Sequence, residues 1–247
     1  MLGRSSDRGI TGPPARAGQR PSACLQTLLR EVAGPSRPLA EGAFVVHEGD
    51  HAEPCYWLES GWLAFLKSLP DGRDQIIDIH LGGELIQPLT ADGRTAGGGL
   101  QALAPSVVAA IPAGRWERLR AGSELVRRAA EQQGYAVTAR RDERMLRLGR
   151  GSAATRLAYL LIEMQQRLGV GRPAAPVAFH LPMTQRQIGD FAGLCSVHVS
   201  RVFGQFACEG ILSTRDHTDV VLHDFDRLCT HAGVVPEALR RAIIAPR

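Results

Sequence analysis

The chain has 247 residues, enough for two domains that each bury a core, and 44% of its residues are hydrophobic. A formal net charge of +4 and a pI near 9.0 are compatible with a nucleic-acid partner without establishing one. The sequence has neither an apolar run of membrane-spanning length nor a secretory hydrophobic core at its N-terminus, so we expect a cytoplasmic protein without a membrane partner.

The N-terminal half is predicted to be a disordered arm, a short helix and a β-roll. Residues 1–21 are rich in Gly, Pro, Ser and Arg, which is typical of a disordered arm. The segment from Ser22 to Val32 is predicted to be a helix capped by Ser22. Between Ala43 and Ile111, short runs of strand-forming residues alternate with turn signals, for example at Asp71 and Gly72. The runs are AFVVH, CYWLE, WLAFLKS, QIIDIH and VVAAI. Many short strands at this spacing predict a small barrel or roll.

A helix from Arg115 to Arg120 and a longer helix from about Gly122 to Gly149 follow the predicted roll. The longer helix carries one stripe of residues at spacings of four and three: Leu125, Ala129, Gln132, Ala136, Ala139, Glu143 and Leu146. This stripe is poor in large apolar side chains. By itself it favours a helix packed on its own roll over a coiled-coil seam.

The segment from Leu181 to Leu212 is predicted to form two short helices around a tight turn. Thr184 can cap the first helix, Gln187 completes a capping box, and Gly193 ends the helix. In the second helix the large apolar residues share one face and polar residues share the other. The apolar residues are Val199, Val202, Phe203 and Phe206. Such a pair can place its second helix in the major groove of DNA, although helix-turn-helix pairs also occur as plain structure.

A hairpin from Ile211 to Leu222, turning near Asp216 to Thr218, would form a wing beside this pair. We therefore predict a double-stranded DNA partner and eleven contact residues. They are Thr184, Gln185, Arg186, Ser196, Val197, His198, Ser200, Arg201, Gln205, Thr214 and Arg215.

Several segments together resemble the Crp/Fnr superfamily of bacterial regulators. They are GGELIQPL, GLQALAPSVVAAIP, RGSAATRLAYLLIEMQQRL, LPMTQRQIGDFAGL, VHVSRVF and EGIL. The resemblance implies an α+β fold with an N-terminal double-stranded β-helix, or jelly roll, as the sensor domain over residues 22–120. It further implies a dimerisation helix over 121–149, a winged helix-turn-helix over 150–230 and a C-terminal tail over 231–247. A homodimer on a pseudo-palindromic site and a contact with RNA polymerase are the implied assembly and partner.

The resemblance also assigns roles within the second helix. Related regulators often carry Glu-Thr before Val-Ser-Arg, whereas this chain has Val197 and His198 at those two places. Arg201 is the best candidate to read a base, because its guanidinium group can donate two hydrogen bonds to the O6 and N7 atoms of guanine. Contact with a phosphate alone is the alternative. Val197 can touch a thymine methyl group. Thr184, Gln185 and Arg186 are placed to fix a phosphate.

The sensor domain offers a candidate effector pocket. Gly83, Glu84 and Leu85 resemble the start of the cassette that grips cyclic nucleotides, and Arg94 and Thr95 follow at a similar distance. Continuing that alignment requires an insertion, whereas an alignment to the fumarate-nitrate type needs none and places the arginine in a loop. We therefore expect an unidentified signal rather than a cyclic nucleotide. A small-molecule-binding module is the alternative function.

No cofactor, metal or enzymatic activity is predicted. An iron–sulfur cluster normally requires four thiolates, and Cys24 and Cys55 stand alone in the sensor half. Neither a phosphate-cradling loop nor a recognisable nucleophile motif occurs. Cys195 lies at the start of the second helix, where the helix dipole favours a thiolate, so we hypothesise a redox-sensitive thiol. A small residue tolerated at a helix cap is the alternative.

Overall fold

A computed structural model describes residues 22–169, 176–215 and 218–245 of the chain. The N-terminal half is a roll of two antiparallel sheets, and the C-terminal half is mostly helical around a small sheet, which confirms the predicted α+β class. The predicted arm over residues 1–21 lies outside the described residues, as do residues 216–217 at the tip of the predicted wing.

The roll is built from short strands that follow one another with tight turns. Its strands are β1 Arg37–Leu39, β2 Phe44–Val46, β3 Cys55–Ser60, β4 Trp62–Ser68, β5 Asp74–Leu81, β6 Leu85–Ile86, β7 Gly99–Ala102 and β8 Ser106–Ile111. One sheet has the order β1-β8-β3-β6 and the other has the order β2-β7-β4-β5. Leu58, Leu63 and Leu100 are fully buried in the core of the roll. The crossing order and the shared core are those of a jelly roll.

Three helices flank the roll: α1 Ala23–Val32, α2 Ala113–Gly122 and α3 Glu124–Arg150. Ser22 caps α1 as predicted, because its side chain accepts a hydrogen bond from the Leu25 amide. The α3 helix has 27 residues and is therefore about 40 Å long. Its Val126 and Ala130 pack with Trp57 of β3 in an apolar cluster. The roll is thus fixed to the first half of α3.

The stripe predicted on α3 contains both buried and exposed residues. Ala136, a member of that stripe, is buried against its own chain. Leu146, another member of the stripe, is 59% exposed. It shares the outer face of α3 with Tyr135, which is 72% exposed, because eleven residues make three helical turns. The buried Ala136 agrees with the prediction that this stripe packs on its own chain, whereas Leu146 at the end of the stripe remains exposed on the outer face.

The C-terminal half contains a winged helix-turn-helix with additional helices. Its elements are α4 Ala153–Arg167, β9 Val177–His180, α5 Gln185–Ala192, α6 Ser196–Cys208, β10 Leu212–Arg215, β11 Asp219–Leu222, α7 Phe225–Ala232 and α8 Pro236–Ile243. The predicted hairpin is β10 and β11, and β9 pairs with β11 as a further strand of the same sheet. Within the described ranges, every helix is either too short or too polar to cross a lipid bilayer.

The C-terminal tail predicted over residues 231–247 is instead folded as far as Ile243. Gly233 ends α7 in the left-handed conformation, with φ of 63°, and Pro236 begins α8. Leu239 and Ile243 lie one turn apart and are both buried. The Ile243 carbonyl accepts a hydrogen bond of 3.3 Å from Arg140 on α3. This amphipathic helix therefore packs against α3, and the tail prediction is wrong.

Candidate nucleic-acid interface

The first helix of the pair, α5, begins with the predicted capping box. The Thr184 hydroxyl accepts a hydrogen bond of 3.2 Å from the Gln187 amide, and the Gln187 side chain accepts one of 2.8 Å from the Thr184 amide. These two bonds supply acceptors for backbone N–H groups that have no hydrogen-bond partner within the helix at its N-terminus. The cap fixes where α5 starts and keeps Gln185 and Arg186 in its first turn.

Two glycines set the angle between α5 and α6. Gly193 adopts the left-handed conformation, with φ of 66°, at the predicted end of α5. Gly189 allows the closest approach, since a Cβ atom there would lie 2.3 Å from the Leu194 carbonyl oxygen. Gly193 was predicted from the sequence, whereas Gly189, which the turn also requires, was not.

The α6 helix buries its apolar face and exposes its polar face. Val199 and Phe206 are fully buried, whereas Ser200 and Arg201 are exposed. Val197 is the exception on the outer face, because this aliphatic side chain is 63% exposed. The division into inward and outward residues is the one that the sequence predicted.

Residues from both helices meet in one shallow surface recess of about 380 Å³. Its lining consists of Gln185 from α5 and Ser196, Val197, Ser200 and Arg201 from α6. The recess combines amide, hydroxyl, guanidinium and methyl groups. These are the groups that bond phosphates and base edges or touch thymine methyls in a major groove.

Other predicted contact residues lie around this recess rather than in it. The Arg186 side chain is 82% exposed, with its Nε atom 3.9 Å from the Asp190 carboxylate. The Gln205 amide donates to Glu209 at 2.8 Å, toward the C-terminal end of α6. On the wing, Arg215 is exposed and Thr214 is half-buried opposite Val220.

Cys195 is the N-cap residue of α6, as the sequence predicted, and its side chain makes no capping hydrogen bond. Its Sγ atom lies 3.4 Å from Nδ1 of His198, and both residues are exposed. The thiol therefore lies exposed at the start of α6, next to Ser196 of the recess. Its proposed sensitivity to oxidation stays a prediction.

The predicted effector pocket is not assembled around Glu84. Gly83 forms a tight turn with φ of 101°, and Leu85 is buried in the core. The Glu84 carboxylate accepts a hydrogen bond of 2.9 Å from Arg167 and lies 3.2 Å from Nδ1 of His80. Burial raises the pKa of this carboxyl group, but Arg167, His80 and Arg140 lower it more, to about 2. The side chain expected to bind a ribose thus has protein partners.

The second half of the predicted pocket is an exposed loop. The Arg94 side chain is exposed, and its amide donates to Asp92 at 2.8 Å. The Thr95 hydroxyl donates to the same carboxylate at 2.6 Å. A cavity of about 90 Å³ does lie between the roll and α3, but Leu85 is the one predicted residue in its lining. The residues present therefore do not fit a cyclic nucleotide held between Glu84 and Arg94.

A set of buried charged residues between the two domains was not predicted from the sequence. Asp78 of β5 is fully buried in the middle of an apolar strand, and Arg140 and Arg144 lie one turn apart on the inner face of α3. Glu163 of α4 is also fully buried. Two signals were available: an aspartate within the run QIIDIH, and arginines at four-residue spacing that continue the packed face of the helix.

Family models match both halves of the chain. A Crp-like helix-turn-helix domain matches residues 155–230, and a cyclic nucleotide-binding domain matches residues 36–123. The first match contains α5, α6 and the wing, and the second contains the roll. The relatives that align with the chain include proteins named as transcriptional activators and regulators.

Individual relatives align over most of the chain. The transcriptional activator protein anr of Pseudomonas aeruginosa is 30% identical over 205 residues, which is 83% of each chain. The nitrogen fixation regulation protein FixK of Rhizobium meliloti is 29% identical over 71% of this chain and 76% of its own. The structure of FixK2 from Bradyrhizobium japonicum, 28% identical, superposes with a TM-score of 0.73 over 83% of this chain and 99% of that one. With the recess on α6 and the jelly roll, these matches show that the chain belongs to the Crp/Fnr family of transcriptional regulators and carries its helix-turn-helix DNA-binding domain.

Proposed function

We propose that this regulator binds a pseudo-palindromic operator as a homodimer and inserts α6 into the major groove of each half-site. The observation that carries the proposal is the recess shared by α5 and α6, where Gln185, Ser200 and Arg201 are presented together. Regulators of this type act as dimers, and two-fold symmetry in the protein matches two-fold symmetry in the site.

The outer face of α3 is the proposed dimer interface. Tyr135 and Leu146 expose large apolar surfaces on one side of a 27-residue helix. Apolar surface of this kind on a soluble chain favours association. Two α3 helices packed side by side would place the two recognition helices on the same side of the dimer.

We further propose that the protein activates transcription in the cytoplasm and contacts RNA polymerase. The name of the Pseudomonas aeruginosa relative, a transcriptional activator protein, supports the first part. The sensor roll would adjust DNA affinity in response to a signal other than a cyclic nucleotide, because Glu84 is paired with Arg167 and Arg94 is exposed. An iron–sulfur cluster is not proposed, since Cys24 and Cys55 are the thiols of the sensor half.

The test is to select bound sequences from random duplexes and then to compare Arg201→Ala with the wild type. Loss of a bidentate arginine contact should cost about 1–3 kcal/mol, or roughly 5- to 150-fold in affinity, and relax the preference at one base pair of each half-site. Fluorescence anisotropy at fixed salt measures the affinity.

Arg73→Ala is the matched control, since this arginine is 77% exposed on the sensor roll, and its affinity should equal that of the wild type. An unchanged sequence preference in Arg201→Ala would remove that side chain from the recognition surface. A wild-type protein without preference for any duplex would contradict the proposed function itself.

A further inference from the structure

A cluster of six oppositely charged side chains is buried where the sensor roll, α3 and the DNA-binding domain meet. Its members are Asp78 and Glu84 from the roll, Arg140 and Arg144 from α3, and Glu163 and Arg167 from α4. Three carboxylates and three guanidinium groups balance in formal charge. Each of these side chains is at most 15% exposed.

Arg144 joins the two domains directly. One nitrogen of its guanidinium donates to Asp78 of the roll at 3.0 Å, and another donates to Glu163 of α4 at 3.0 Å. Arg140 also donates to the aspartate, at 3.2 Å. A single side chain of α3 therefore holds a carboxylate from each domain.

Arg167 also connects the two domains, because it reaches from α4 to the roll. It lies on α4, pairs with Glu163 at 3.1 Å on its own helix, and reaches Glu84 of the roll at 2.9 Å. It also donates to the Ile79 carbonyl of β5. Separating the domains would break the pair between Arg167 and Glu84, although each keeps one partner in its own domain, Glu163 and His80 respectively. A partial separation that admits no water would leave these buried charges incompletely paired, which is strongly unfavourable.

The helix-turn-helix is docked on the same strand. The Gln75 side chain on β5 donates to the carbonyl of Asp190 at the end of α5. The Arg144 guanidinium lies over the Phe191 ring, 4.6 Å from its centroid. These contacts involve the C-terminal end of α5, while Arg201 on α6 remains exposed. Docking therefore fixes the recognition helix without covering it.

We propose that this buried charge cluster fixes the orientation of α6 relative to α3. In a dimer joined through α3, that orientation decides the distance between the two recognition helices, and hence which half-site spacing the protein prefers. The second statement rests on the proposed function. Asp78 and Glu163 act here as positioning residues, because they hold the domains rather than touch DNA.

The geometry of the cluster explains how it can select one arrangement. Directional bonds from Arg144 to two carboxylates are satisfied in one relative placement of the domains, whereas an apolar surface tolerates sliding. Buried ionic groups give such structural specificity in some proteins, and the cost of an unpaired charge opposes intermediate positions. A sensor signal that moves β5 by a small distance would thereby act on α4 and α5.

The first test measures docking without DNA, by hydrogen exchange in the full chain. Asp78→Asn and Glu163→Gln keep the side-chain size and remove the negative charge. We expect exchange at β5 and at α5 to accelerate by about tenfold or more, while β3 and α7 stay protected. Glu209→Gln is the control, because this carboxylate pairs with Arg227 and His231 inside the DNA-binding domain.

Two outcomes of that measurement would contradict the proposed positioning role of the charge cluster. Exchange equal to the wild type in both variants would show that the domains dock without the cluster. Acceleration throughout both domain cores would show that the cluster supports the fold and has no separate positioning role. Neither outcome depends on whether the protein binds DNA.

The second test varies the spacer between two selected half-sites by one and two base pairs. The wild type should prefer one spacer by about tenfold, and both variants should lose that preference while binding a single half-site with unchanged affinity. Variants that keep the spacer preference, or that lose half-site affinity as well, would contradict the positioning role. Failure of the wild type to bind any duplex would instead contradict the proposed function. The hydrogen-exchange result would still show whether the charge cluster docks the two domains.

Discussion

At the scale of single residues, Val197 distinguishes this recognition surface from relatives that carry a glutamate at the same place. A valine cannot accept a hydrogen bond from a cytosine amino group, but its exposed methyl groups can contact a thymine methyl. Sequence preferences of glutamate-bearing relatives should therefore not apply to this chain at that position.

Removing one thymine methyl from the operator should weaken wild-type binding in a position-specific way. Burying one such group contributes about 0.8 kcal/mol, so replacing the contacted thymine with uracil should lower affinity roughly fourfold. Anisotropy with uracil placed at each thymine in turn measures this effect. Val197→Ala should be insensitive at the same position, and equal sensitivity of both proteins would exclude the contact.

Spacing along the sequence predicts contacts between near neighbours but not contacts between distant residues. Thr184 and Gln187 are three apart, so their capping box could be predicted from local pattern alone. Glu84 and Arg167 are 83 positions apart. Periodicity carries no information about such a pair, and the family resemblance suggested a ligand for Glu84 instead. The pairing follows only from the way the two domains dock.

At the scale of elements, the predicted strands and the helix-turn-helix were recovered because each has a local signal. The runs CYWLE and QIIDIH form β3 and β5, and the pattern of apolar residues on α6 gives its buried face. By contrast, β6 has two residues and β1 has three, too few to show alternation. The α8 helix was missed because only Leu239 and Ile243 mark its buried side.

Leu239 should contribute to the stability of the DNA-binding domain, since α8 is folded rather than a tail. Truncation of a buried leucine typically costs about 2–5 kcal/mol, so Leu239→Ala should lower the free energy of unfolding by an amount in that range. Urea unfolding followed by circular dichroism measures it. Val235→Ala is the control because that side chain is 66% exposed, and an equal loss in both variants would mean that α8 does not pack as described.

At the scale of the whole molecule, the proposed dimer depends on the outer face of α3. Glutamates at Tyr135 and Leu146 would place two charges in a self-complementary interface, where each meets the same surface of the second copy. We expect the double variant Tyr135→Glu and Leu146→Glu to sediment as a monomer and to bind the operator more weakly than the wild type. Analytical ultracentrifugation distinguishes the two states.

The control for that experiment is Leu69→Glu, a similar change at a side chain that is 53% exposed on the turn between β4 and β5. It should leave the sedimentation coefficient unchanged. A double variant that remains dimeric would move the interface away from Tyr135 and Leu146.

The pairing of the roll with α4 should also appear in the acid stability of the whole chain. Burial raises the pKa of Glu84, while Arg167, His80 and Arg140 lower it more, to about 2 from an ordinary value of 4.5. Because the folded-state pKa is the lower one, this carboxylate stabilises the folded protein fully above pH 4.5. The contribution is lost as the pH falls from 4.5 toward about 2. Unfolding in urea at a series of pH values should therefore show the stability advantage of the wild type over Glu84→Gln shrinking through that window. A constant difference across the series would mean that Glu84 titrates alike in the folded and unfolded chains, and that its bond to Arg167 does not tie the two domains together in solution.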